Sequence, residues 1–129
     1  MDAPFQATHQ TKRMLYEMML CAEHRGAYVG YVRGEFSRTL TGFFQEVSSA
    51  FRFPYTFSWT WDSLDACFRD LEWLSFSQLL WVISQPEKLF TQEEDHMAHV
   101  NALQRSIAAA ASFWRERQVP FDCVLNLFE

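Results

Sequence analysis

The chain has 129 residues, 49% of them apolar and 17% aromatic, with 13 Phe and 5 Trp. That is the length of one domain and ample material for a packed core, which excludes a disordered chain. A formal net charge of −5 excludes a protein that coats DNA or RNA through clustered Lys and Arg.

Residues 1–10 are polar and read as a loose start. Lys12 to His24 reads as a helix with Met14, Leu15, Met18 and Cys21 on one face. Gly26 ends it, and Ala27 to Val32 reads as a strand. After Gly34, Ser37 is placed to cap a helix whose stripe is Leu40, Phe43, Phe44, Val47 and Phe51. Phe53-Pro54 breaks that helix, because proline disfavours helical geometry in the residue before it. Residues 53–61 then form an aromatic loop.

A further helix is expected from about Asp62, with Leu64, Phe68, Leu71 and Leu74 as its stripe and Cys67 beside it. Asp62 and Asp65 fall in its first turn, where the positive end of the helix dipole favours carboxylates. Leu79 to Ile83 is a short apolar run that fits a strand covered on both faces, though periodicity alone also allows a buried helix. A long helix is expected from Gln92 to Arg117, with Met97, Val100, Leu103, Ile107, Ala110 and Trp114 three or four residues apart. Pro120 stops it, and Phe121 to Phe128 is the last strand. Strands separated by helices imply parallel pairing through right-handed crossovers, so the class is α/β.

Negative charge is concentrated. From Asp62 to Asp95 there are eight acids (Asp62, Asp65, Asp70, Glu72, Glu87, Glu93, Glu94 and Asp95) and two bases, Arg69 and Lys88. Such a field suits a basic partner, although a charge run is also an ordinary solvated helix face. Cys21, Cys67 and Cys123 are far apart, with no CxxC pair and no short Cys/His spacing, which fits a reducing compartment. Met14 to Cys21 is interrupted by Glu17 and does not read as a signal peptide. No segment approaches the roughly 20 apolar residues of a membrane span. The expected location is the cytoplasm.

Enzyme constellations are thin. Glu94, Asp95, His96 and His99 share a helix start but lack the HExxH arrangement and an evident third ligand. They read as a solvated helix start. Cys67 lies against an apolar stripe and reads as an inert buried thiol. With four glycines and no GxGxxG, no phosphate loop is present. Neither a metal nor another cofactor is expected.

Residues 53–74, FPYTFSWTWDSLDACFRDLEWL, carry a family resemblance. An aromatic-proline turn (Phe53-Pro54) leads into an aromatic loop with Tyr55 and Phe57. Then come Trp61-Asp62-Ser63-Leu64 at a helix start and Asp70-Leu71-Glu72-Trp73-Leu74 at its end. This pattern, with the order of strands and helices from about residue 28 to 128, resembles the barstar family. The resemblance implies a small three-stranded parallel sheet packed with helices, here with an extra N-terminal helix. Residues 1–26 would be the extension and 27–129 the barstar-like domain.

It also implies a protein inhibitor rather than an enzyme, whose partner is a toxin with a basic nuclease domain. A monomer is the simplest expectation. A non-inhibitory binding module on the same fold is the alternative.

The implied partner surface comprises Tyr55, Trp59, Thr60 and Trp61 in the loop, with Asp62 matching a family interface acid. Trp59 and Trp61 would share a face if the loop is extended. The family's second key acid falls at Ala66, and Asp65 points about 100° away from it. Arg69 lies on the adjacent surface, within reach of Asp65 or Glu72. A further family acid near the end of the long helix aligns with Arg115 or Glu116. The small loop residue, usually Gly, is Ser58.

Overall fold

A computed structural model describes residues 5–128. The elements are β1 (Phe5–Thr8), α1 (Lys12–His24), β2 (Ala27–Arg33), α2 (Leu40–Ala50), α3 (Trp61–Phe68), β3 (Gln78–Ser84), α4 (His96–Glu116) and β4 (Phe121–Asn126). Single 3₁₀ turns occupy Gly34–Phe36 and Pro86–Lys88.

The sheet is parallel throughout, in the order β1-β4-β3-β2. It therefore has four strands, which corrects the expected three. The added strand, β1, falls in the stretch read as loose. Its FQAT sequence lacks an apolar run because an edge strand is held by backbone pairing (Phe5 opposite Cys123, Thr8 opposite Asn126) more than by buried side chains.

Helices cover both faces. The larger core joins α2, α3 and α4 to the sheet around Trp81 of β3. The Trp81 ring stacks on Phe68 at 5.0 Å and meets Phe51 edge-on at 5.4 Å. Gly30 of β2 lies directly beneath Phe51, where a Cβ would collide with the ring. On the other face α1 packs Leu15 against Val82 and Val124, with Met18 and Met19 beside them.

The packing face of α1 is Leu15, Met18, Met19 and Ala22. Met14, 49% exposed, and Cys21 lie outside it, contrary to the expected stripe.

Threonines cap three helices. Thr11, Thr39 and Thr60 accept backbone N–H bonds from Met14, Gly42 and Ser63. Thr39 thus replaces the expected cap Ser37, which is buried and donates its hydroxyl to the Arg33 carbonyl. Helix α3 stops at Phe68, short of the expected Leu74. The chain turns through Leu71 in the left-handed region, φ 51°, and that side chain remains buried without a helix. Helix α4 starts at His96 rather than Gln92, and Met97 is 61% exposed. Strand β4 ends at Asn126 rather than Phe128.

Candidate functional site

The loop before α3 is shaped by backbone geometry and by two backbone-to-hydroxyl bonds. Trp59 takes a left-handed conformation, φ 61°, at a cost of about 1–3 kcal/mol for a non-glycine residue. Its neighbour Ser58 holds the loop instead, donating its backbone N–H to the Ser63 hydroxyl at 3.0 Å. The Thr60 hydroxyl in turn accepts from the Ser63 N–H at 3.1 Å. Thr60 is thus an N-cap, while the Ser63 side chain reaches past it to the Ser58 N–H and ties the loop to the first turn of α3.

The loop is not extended at Trp59, yet the rings of both Trp59 and Trp61 lie edge-on to Phe44. Trp59 remains 44% exposed, its ring edge-on to Phe44 at 6.5 Å. Trp61 is half-buried among Phe43, Phe44 and Phe90, and its indole N–H donates to His99 Nδ1 at 3.4 Å. Tyr55 stands almost free, 98% exposed.

Along α3, Asp62 and Ala66 are exposed, one helical turn apart, and Arg69 follows on the same side. Asp65 is half-buried, and its Oδ1 is enclosed without a hydrogen-bond partner. Among the described residues Arg69 forms no ion pair, so the contacts expected with Asp65 or Glu72 are not made. Glu72 is exposed and donates its backbone N–H to Asp70 Oδ1 at 3.3 Å.

Glu116 is exposed near the end of α4, about 200° around that helix from Trp114, which faces α3. Asp62, Ala66 and Arg69 thus follow one exposed side of α3, Trp61 and Asp65 are partly turned inward, and Glu116 lies on the far side of α4. The neighbouring Arg115 is within 3.6 Å of Asp122.

Between α3 and the loop lies a cavity of about 180 Å³, bounded by Pro54, Thr56, Ser63, Ala66, Asp70 and Trp73, with Cys67 at its side. Burial pushes the Cys67 thiol up, and the Asp70 carboxylate adds to that, so the sulfur stays protonated and weakly reactive. Asp70 was not among the expected site residues. The available signal was its spacing, four residues after Ala66.

The described residues contain no group of three or more His, Cys, Asp or Glu able to hold a metal ion. None of their helices is long and apolar enough to cross a membrane.

A comparison with curated proteins finds no match. The family model described as Barstar (barnase inhibitor) matches residues 27–126, from the start of β2 to the end of β4 and across the whole loop and α3 surface. With most of its length matched, the chain belongs to the barstar family.

Proposed function

We propose that this chain is an inhibitor, or immunity protein, that binds a cognate toxin enzyme, a ribonuclease, and blocks it with α3 and the loop before it. The observation that supports this best is the composition of that surface. Exposed Tyr55 and Trp59 stand beside the exposed carboxylate of Asp62 on a short helix, in a chain whose family is described by inhibition of barnase.

A ribonuclease site is basic because it binds phosphates. Carboxylates on a rigid helix complement that field, speeding encounter and slowing release where the pairs are desolvated. Aromatic side chains supply the anchors that dominate such interfaces. The protein needs no chemistry of its own for this.

The test is co-expression with the product of the gene beside its own. The expected result is rescue of the host from that product's toxicity, together with loss of its RNA-cleaving activity when the two purified proteins are mixed. A purified pair that binds while RNA cleavage continues would replace this reading with a non-inhibitory binding module.

A further inference from the structure

We propose that the cavity between α3 and the preceding loop is a socket for one arginine side chain of the bound toxin, selected by Asp70. This rests on the inhibitor reading and names the partner chemistry of one part of the same surface.

Size limits the occupant first. A space of about 180 Å³ is below the roughly 300–1,000 Å³ of small-molecule sites, and it suits a single inserted side chain. The lining then states its chemistry. Pro54, the Ala66 methyl and the half-buried Trp73 ring offer apolar surface for an aliphatic stem, and an indole is an aromatic partner on which a planar cation can stack. The Trp73 indole N–H is already donated to the Phe51 carbonyl at 2.9 Å, which fixes the ring.

Asp70 supplies the charge. One of its oxygens accepts the Glu72 N–H, and no cation among the described residues pairs with it. The adjoining Cys67 sulfur stays a neutral thiol, so it does not compete as a second anion.

Ala66 and Asp70 make sense together. The resemblance implies an acid at 66, and the small methyl there leaves open the space that an acid would fill. The carboxylate recurs four residues later on the wall of the same cavity. A toxin whose basic group is placed for an acid at 66 meets a methyl instead, while one reaching past the end of α3 meets Asp70 in the turn that follows. That difference discriminates between related toxins by both attraction and its absence.

The test titrates the isotope-labelled full chain with n-propylguanidinium, n-propylammonium and the neutral n-propylurea, followed by NMR. Propylguanidinium is expected to shift the Ala66 and Asp70 amides and the Trp73 indole, saturating at roughly millimolar concentration. Propylurea should leave them unmoved. Asp70→Asn keeps the acceptor for Glu72 and should weaken binding about tenfold. Ala66→Leu fills the cavity and should abolish the shifts, and Asp70→Asn carries the test alone if that variant misfolds.

No shift at these residues, equal shifts with propylurea, or shifts unchanged in Asp70→Asn would overturn the socket. Tighter binding of propylammonium would overturn its selection of arginine. Since the probes require no toxin, a working socket without inhibition would sink only the functional reading. Inhibition without a socket would sink only this proposal.

Discussion

Trp114 of α4 donates its indole N–H to the carbonyl of Phe68, the last residue of α3, at 2.6 Å. At the opposite end of α3, Trp61 reaches His99 of α4. Two indoles therefore clamp an eight-residue helix that is too short to be stable alone. A surface held in its bound shape before encounter loses less entropy on binding. Trp114→Phe keeps most of the ring and orphans the Phe68 carbonyl. It should cost about 1–2 kcal/mol of stability in urea denaturation, with hydrogen exchange accelerating in α3 before it does in β3.

Asn126 ties the N-terminal segment to the sheet. It is fully buried, and its Oδ1 accepts from the Thr8 hydroxyl and the Gln10 N–H, both at 2.8 Å. Its Nδ2 donates to the Gln10 carbonyl at 3.2 Å. Asn126→Ala should cost about 2–3 kcal/mol, since it leaves buried groups unpaired. The amides of residues 5–10 should lose exchange protection first. A uniform loss across the molecule would contradict a local tie.

Arg33 and Glu46 set an acid-side dependence. Burial alone would raise the Glu46 carboxyl, but hydrogen bonds from the Arg33 side chain and backbone, with the guanidinium charge, hold it below its usual value. A depressed folded-state value means the stabilisation is present above the unfolded carboxylate range, about 4.3. It is lost as pH falls through the folded-state value. Denaturation midpoints measured downward from pH 5 should fall less steeply in Glu46→Gln than in the native chain.

The cysteines should react in a fixed order. Cys21 is exposed, whereas Cys67 and Cys123 are buried and both thiols are pushed up by that burial. Alkylation of the native protein near pH 8 should modify Cys21 first, as read by mass spectrometry. Cys67, at the side of the cavity, should follow slowly and Cys123 only on unfolding, and rapid labelling of Cys123 would contradict its place in the core.

Local pattern explains which parts were legible. The stripe Leu40, Phe43, Phe44, Val47 and Phe51 is helical in period, and α2 uses it through Ala50. The same reasoning overran at Leu71, because burial requires an apolar side chain but not a helix beneath it. β1 was invisible because its binding partner, Asn126, lies at the other end of the sequence. Asp62 could be placed at the helix start, whereas aromatic type and spacing left Trp59 open between core and surface, and the structure leaves it 44% exposed. The cavity could not, since it forms only when Pro54, Ala66 and Trp73 come together from segments joined by tight turns.

The most direct measurement is ribonuclease inhibition by the double variant Trp59→Ala, Asp62→Lys against the cognate toxin. The fold should be retained, with stability lowered by about 1–2 kcal/mol, because the Trp59 ring leaves Phe44 and Phe57 and a cation replaces a carboxylate in the first turn of α3. The account predicts that the inhibition constant weakens by at least about 100-fold, as expected when an aromatic anchor is lost and a charge is reversed at an interface centre. Inhibition equal to that of the native chain would contradict the claim that the loop and α3 form the binding surface.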